Sequence, residues 1–360
     1  MSYRTVRFRF AGSFRFGRNS LDNGDFCFAA DTFFSALYVE AMKLGRQDEL
    51  YDLVQGGGLL FSDAFPWQGD TLFLPKPLSA GAAERQALGS SVLKKKLKKL
   101  KFIRADDFDS YLAGTFDPLR SGDPAGSLVR QFLKVNAAVR GNDETMPYRV
   151  RLCEFSSHPG GAPATGVASD PQGASRKTAQ AGAVSTPCAE PGDSAASGAA
   201  AGQVLTETGA GLFIIVKCAE SRAAELLDEL LKSLSFSGLG GKRSSGCGRF
   251  SFETGTVPSP LLRRLESTGG RVMSLSISLP GDDELEGALE GGSYTVVRRS
   301  GFIASENFAP QQMKKRDLYM LRSGSCFDRT FRGSIWNVAC RGGSHPVFRY
   351  GKPLFMGIES

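Results

Sequence analysis

The chain opens with a strict alternation of apolar and polar positions. Val6, Phe8 and Phe10 stand on one side of residues 3–10 and Arg7 and Arg9 on the other, the pattern of a half-buried β-strand. A loop with two glycines and two arginines follows (Gly12, Arg15, Gly17, Arg18). The period then turns helical. Phe33, Phe34, Leu37, Tyr38 and Ala41 form one stripe, Asp31 stands where a helix cap is expected, and Gly45 supplies a stop. Residues 59–62 and 71–74 read as short strands. Residues 90–102 predict an amphipathic helix in which Leu93, Leu97 and Leu100 make the stripe and Lys94, Lys95, Lys96, Lys98, Lys99 and Lys101 cover the rest. Residues 148–155 alternate arginine with apolar residues, as a strand does.

The pattern breaks between residues 156 and 203, where no Leu, Ile, Met, Phe, Tyr or Trp occurs. Such a stretch of Ala, Gly, Ser, Pro and Thr cannot bury enough apolar surface to offset the entropy of ordering itself. Residues 156–210 therefore predict a disordered insertion between two strands. The apolar run at residues 212–216 reads as a strand. Residues 219–234 predict a helix that buries Leu226, Leu227, Leu230, Leu231 and Leu234, and residues 248–252 predict another strand. Strand, helix, strand, strand, helix, strand is the βαββαβ order of a ferredoxin-like, RRM-type α+β fold. Residues 254–270 read as a connector, and β patterns recur at 272–279, 294–297, 317–321, 331–338 and 347–350.

Between the second helix and its following strand lies the stretch with the most chemistry. Residues 236–250 hold Gly238, Gly240, Gly241, Gly246 and Gly248, with Lys242, Arg243, Ser244 and Ser245 among them. Glycine lets a backbone approach a ligand closely, and successive N–H groups can form an anion-binding concavity. The two cations and two hydroxyls add phosphate contacts. The spacing matches neither a P-loop nor a dinucleotide turn. A basic, glycine-rich turn between helix and strand suits an extended polyanion, with RNA first; the same composition also suits an ordinary surface turn. The lysine run likewise reads as a phosphate-tracking face or as a solvated helix side. Phe14 and Phe16, flanked by Arg15 and Arg18, read as base-stacking groups or as core residues, with core favoured for at least one.

The 360 residues carry a net charge of +7, and the excess sits at the two ends rather than in the low-complexity segment. A mild basic excess fits an acidic partner. The seven cysteines form no Cys-x-x-Cys pair, which argues against a disulfide framework or zinc knuckle and for a reducing cytoplasm. No signal-like N-terminus and no membrane-length apolar run occurs. No metal-ligand spacing or cofactor fingerprint is found, so neither is expected. Of the two histidines, His158 borders the insertion, while His345 stands in a loop before a strand and is a candidate general base or a turn residue.

Several blocks together resemble a known family. Residues 31–37 (DTFFSAL), 62–66 (SDAFP) with 74–78 (LPKPL), the glycine-rich loop, 315–320 (KRDLYM) and 345–354 (HPVFRYGKPL) occur in the order found in the RAMP-superfamily subunit of type III-A CRISPR (Csm) effector complexes that holds the crRNA 5′ handle. Ala30 stands where that family has Ser, and Phe33 where it has Leu. The resemblance implies two ferredoxin-like RAMP domains, residues 1–256 and 271–360, with an inserted thumb near 80–147. It implies crRNA as ligand, the large Cas polymerase/nuclease subunit and the RAMP backbone subunit as neighbours, and no catalysis. Handle phosphates would meet the backbone of Gly240, Gly241 and Gly246 beside Lys242, Arg243, Ser244 and Ser245, with Arg15 and Arg18 lining the same groove. Lys94, Lys95 and Lys98 would meet RNA or the large subunit. The alternative is a metal-independent RAMP endoribonuclease acting through His345, as some relatives do.

Overall fold

The alternation at the N-terminus is realised as β1 (Ser2–Phe10), which buries Val6 and Phe8 completely. The computed structural model describes residues 2–18, 20–79, 91–118, 128–138, 146–156, 209–303, 305 and 307–359. Of the insertion predicted at 156–210, residues 157–208, with His158, lie outside the described residues, while Ala210 already belongs to a strand; 80–90, 119–127 and 139–145 of the predicted thumb also lie outside them.

In chain order β1 is followed by β2 (Phe16–Arg18), β3 (Ser20–Asp25), α1 (Ala30–Lys43), α2 (Gln47–Gln55), β4 (Leu59–Phe61), β5 (Phe65–Gln68) and β6 (Thr71–Pro75). Next come α3 (Ser91–Lys99), β7 (Phe102–Arg104), α4 (Phe108–Ala113), β8 (Val129–Ala138), β9 (Met146–Phe155), β10 (Ala210–Cys218), α5 (Ser221–Ser237) and β11 (Phe250–Thr256). The principal sheet has the order β11-β1-β10-β5-β6-β7, with β4 also beside β10, and its pairings are antiparallel. β10 is buried on both faces. Leu212, Ile214 and Val216 join the core under α1, α2 and α5, while Phe213 and Ile215 join a second core with α3, α4 and part of the C-terminal region.

The strand opposite β10 is broken in two. β4 pairs with Val216–Cys218 and β5 with Ala210–Phe213. Ser62 bridges the break: its N–H donates to the Ile215 carbonyl (2.9 Å), and its Oγ accepts from the Ile215 N–H (2.8 Å). Asp63 then turns inward. Its Oδ1 accepts from the N–H groups of Ala30 (2.8 Å) and Ile277 (2.9 Å), and its own N–H donates to the Leu275 carbonyl (2.8 Å). One buried carboxylate thus ties the start of α1 to the C-terminal region.

Asp31 is not the helix cap that its position suggests. The helix begins at Ala30, and Asp31 lies inside the first turn without a side-chain capping bond. It faces two arginines instead: Arg299 donates at 2.9 and 2.6 Å, and Arg349 at 2.5 Å. Burial acts to raise the Asp31 pKa, but the two guanidiniums outweigh it and hold the carboxyl below its ordinary value.

The connector predicted at 254–270 contains the end of β11 and a helix, α6 (Ser259–Glu266), with Pro260 in its first turn, where a missing N–H costs nothing. Beyond it lie β12 (Val272–Ser274), α7 (Leu285–Leu289), β13 (Val296–Arg299), β14 (Leu318–Leu321), β15 (Cys326–Phe327), β16 (Ile335–Asn337), β17 (Phe348–Tyr350) and β18 (Phe355–Gly357). They form a β15-β12-β18 sheet and two ribbons, β13-β14 and β16-β17. The long alternating strand expected at 272–279 is cut short after Ser274, and Val272 through Ser278 are buried on both sides. Two serines add to the backbone bonds that continue past Ser274: Ser274 Oγ donates to the Ser276 carbonyl (2.7 Å), and Ser276 Oγ accepts from the Leu354 N–H (2.8 Å). The C-terminal block closes on the N-terminal elements. Tyr350 Oη accepts from the Phe61 N–H (3.0 Å), and Lys352 Nζ donates to the Gln55 carbonyl (2.7 Å).

Replacing Arg349 by Met leaves Asp31 short of one buried partner, and the expected loss is about 3–5 kcal/mol in urea unfolding. Asp63 tests the opposite sign. Burial outweighs its backbone hydrogen bonds and pushes its pKa from 3.8 up to about 6. Its contribution is therefore full below about pH 4 and is lost as the pH rises through about 6. Asp63→Asn keeps an acceptor oxygen, so the variant's stability relative to the parent is expected to rise across that window by up to about 3 kcal/mol. Denaturant midpoints measured from pH 4 to 7 check the sign.

Candidate nucleic-acid interface

The glycine-rich loop is built from three chain segments that interlock. α5 ends at Ser237, and Leu239 turns inward into the core, its N–H donating to the Gly248 carbonyl (2.9 Å). Gly240 lies at φ +99°, and a Cβ there would stand 2.4 Å from the Arg15 carbonyl oxygen. At Gly248 (φ +80°) a Cβ would stand 2.1 Å from the Leu239 carbonyl oxygen. Only glycine fits either place. The Gly241 N–H donates to the Arg15 carbonyl (2.9 Å) and the Gly248 N–H to the Ser13 carbonyl (3.0 Å). Phe14 and Cys153 in turn exchange backbone hydrogen bonds of 2.8 and 2.9 Å, which joins this first loop to β9. Stacked and edge-on contacts among Phe10, Phe14, Phe16, Phe155 and Phe250 fill the space beneath. Both Phe14 and Phe16 are core residues.

On this base the loop presents a short basic turn. Lys242 has φ +63°, the only positive φ at a non-glycine among the described residues. Its Nζ donates to Tyr148 Oη (2.9 Å) and stands 4.7 Å from the centre of the Tyr148 ring, a cation–π contact that fixes the side chain. Arg243–Ser245 form a single 3₁₀ turn whose side chains, with Gly246, are exposed. The side chains of Arg243, Ser244 and Ser245 make no hydrogen bond among the described residues, and the N–H groups of Gly240, Arg243 and Ser244 have no acceptor there. Beyond Tyr148 opens a groove of about 570 Å³ lined by Leu21, Asp22, Val135, Pro147, Tyr148 and Arg149. The turn has the elements of an anion site, with free donors, a cation and hydroxyls held by a rigid support.

The other predicted contacts divide. Two of the three backbone donors assigned to phosphate are engaged inside the chain: Gly241 to Arg15, and Gly246 to the Arg243 carbonyl (2.9 Å). Arg15 does not line a groove. Its guanidinium is buried in the β2-β3 hairpin and donates to the carbonyls of Ser20 (2.6 Å), Leu21 (3.3 Å) and Asn23 (3.2 Å). Arg18 ends β2, and its side chain lies outside the described residues. Lys95 and Lys98 are exposed on α3, which packs through Leu97, with Leu100 just beyond its end, into the core on the far face of the sheet from the glycine loop; the Lys94 side chain lies outside the described residues. His345 Nε2 meets Ser305 Oγ (2.8 Å), its Nδ1 meets the Pro346 carbonyl (2.9 Å), and its ring packs on Phe308. No contact joins it to the glycine loop among the described residues. Sequence reasoning missed Tyr148, whose only signal was its place at the start of an arginine-rich strand.

Known proteins match this chain over nearly its whole length. Residues 267–358 match the model for the CRISPR Csm4 C-terminal domain. A Mycobacterium tuberculosis protein described as "CRISPR system Cms protein Csm4" is 33% identical over 359 residues, covering 99% of this chain and 98% of the relative. A Streptococcus thermophilus protein of the same description is 30% identical over 367 residues, covering 100% of both. In fold, the chain is similar to a structure of a Csm3-Csm4 subcomplex of the type III-A interference complex (TM-score 0.60, 14% identity, 98% of each chain). It is also similar to a Csm1-Csm4 cassette in complex with cA4 (TM-score 0.55, 17% identity, 99% and 98%). With C-terminal blocks that close on α1 and β4 and relatives that match from end to end, the chain belongs to the Csm4 family of type III-A CRISPR (Csm) complex subunits.

Proposed function

We propose that this chain is a non-catalytic RNA-binding subunit of a type III-A CRISPR ribonucleoprotein in the cytoplasm, capping the crRNA 5′ handle at the turn Lys242–Gly246. The observation that carries this reading is the exposed 3₁₀ turn with free N–H groups, hydroxyls and Arg243, set on an interlocked base. Rigid support limits the entropy lost when a flexible polyanion docks. The handle phosphates meet Arg243, Ser244, Ser245 and the N–H groups of Gly240 and Ser244, with Lys242 beside them. Arg15 acts from below, by holding the hairpin that carries the Gly241 acceptor.

The sheet order β11-β1-β10 followed by β4 and β5, with a helix after β1 and another after β10, supports a ferredoxin-like RAMP domain over residues 1–256. The same reading extends to residues 271–360, where β12 lies between β15 and β18. The structures similar to this chain in fold are of a Csm3-Csm4 subcomplex and a Csm1-Csm4 cassette. By likeness, this chain bridges the RAMP backbone subunit and the large polymerase/nuclease subunit, and α3 offers Lys95 and Lys98 to RNA or to the large subunit. His345 is turned toward Ser305 and Phe308, which favours a structural role over RNA cleavage.

Ultraviolet crosslinking of the co-expressed complex is expected to join handle nucleotides to residues 236–250. Lys242→Ala with Arg243→Ala is expected to weaken handle binding and to lower the slope of log K against log salt by up to about 1.4, two phosphate contacts' worth on a single strand. Unchanged affinity and slope, or crosslinks only elsewhere, would overturn the assignment. His345→Ala is expected to leave crRNA maturation intact.

A further inference from the structure

The most exposed large apolar side chain among the described residues lies just before the glycine-rich loop. Phe236, in the last turn of α5, is 83% exposed, while Phe8, Phe14, Phe16, Phe28, Phe33 and Phe250 nearby are buried. Among the described phenylalanines only Phe302, in a distant loop, is also classed as exposed. Phe236 stands between Ser235 and Ser237, two residues before Gly238. Ser237 accepts a hydrogen bond from Lys43 Nζ (3.1 Å), which ties this corner to the end of α1. Residues 232–249 contain Lys232, Lys242, Arg243 and Arg249 and no carboxylate. Glu40 is fully buried and engaged by Lys43 (2.7 Å) and Ser233 (2.6 Å), and Glu229, earlier on α5, pairs with Arg46 (2.9 Å).

A protein-docking patch gathers apolar neighbours and a mixed-charge rim. Phe236 stands among serines in a segment, residues 232–249, whose only charges are cations, and charge complementarity favours a polyanion. Aromatic faces set among cations are how proteins hold unpaired bases: the ring stacks on a base of any identity, and the cations take the flanking phosphates.

We propose that Phe236 is a stacking platform for one unpaired base of the RNA strand whose phosphates lie on the Lys242–Gly246 turn. This rests on the RNA reading of that turn and adds a base contact to its phosphate contacts. Stacking neutralises no phosphate, so it contributes affinity without contributing to the salt slope. At Phe236, 83% exposed, substitution leaves the core intact.

The test uses the full 360-residue chain and short single-stranded RNAs carrying 2-aminopurine at one position each, across a salt series. Phe236→Ala is expected to weaken binding by about 5- to 150-fold, the equivalent of about 1–3 kcal/mol per stacked base, at an unchanged salt slope. It is also expected to restore fluorescence at one position. Phe236→Trp is expected to retain affinity and quenching, and Phe236→Leu is expected not to. Equal binding by the Leu variant, undiminished binding by the Ala variant, or a Phe236→Ala defect in assembly without RNA would overturn the proposal, the last in favour of a protein contact. The Lys242→Ala, Arg243→Ala pair, measured in parallel, separates the two levels. If the pair weakens binding and Phe236→Ala does not, stacking fails alone; if neither does, the RNA reading of the turn fails with it.

Discussion

A carboxylate that stays charged away from water needs compensating partners, and Asp31 finds two arginines on strands far away in the chain. Arg299 comes from β13 and Arg349 from β17, and each also reaches a second acceptor: Thr32 Oγ1 for Arg299 and the Ser300 carbonyl for Arg349. Desolvating such a group costs several kcal/mol, which is recovered only when both partners are in place with good geometry. The arrangement therefore specifies how the C-terminal strands close on α1. Tyr350 and Lys352 follow in register, reaching Phe61 and Gln55. Nearby, burial and the Arg349 charge push the Lys315 pKa down to about 8, a measure of how closely cations gather around Asp31. From the far end of α1, Lys43 meets Ser237, and α5 carries that contact into the glycine loop. The junction and the candidate interface are thus two ends of one packed frame.

Much of that frame was legible. β1, α1, β10 and α5 have strong periodicity and a continuous apolar face, and the structure differs from expectation only at their ends. β5 was not legible because Pro66 lies within it, a residue that normally argues against a strand. β8, with the burial of a half-exposed hairpin arm, mixes polar and apolar residues without a clear period. Residues 272–278 misled for the opposite reason. Their alternation of apolar residues with serine is regular, but the serines are buried, with Ser274 and Ser276 donating to backbone carbonyls, so period two did not mean a wet face.

The candidate site was legible as a segment and less so as a set of atoms. Glycine spacing alone cannot separate a backbone that approaches a ligand from one that approaches its own chain. At Gly240 and Gly248 the close approach is internal, to Arg15 and Leu239. Arginine in a loop is equally ambiguous. Arg15 donates to three carbonyls of a tight hairpin, and burial lowers its pKa. Only tertiary contacts reveal either fact.

These internal uses strengthen the reading of the loop. A turn that projects free N–H groups toward solvent must be prevented from collapsing onto its own carbonyls, and the glycines and Arg15 do that from beneath. Lys242 shows the consequence most directly. A left-handed conformation at a non-glycine residue is disfavoured and persists only where its surroundings over-determine it. Here the flanking Gly241 bond to Arg15 and the Lys242 bond to Tyr148 supply that constraint. If Lys242 relaxed to a right-handed conformation, the chain would leave the turn in another direction, and the free donors of Arg243 and Ser244 would no longer sit above the Phe14 and Phe16 base. The strain is local, and its product is a fixed direction for the exposed donors of the turn.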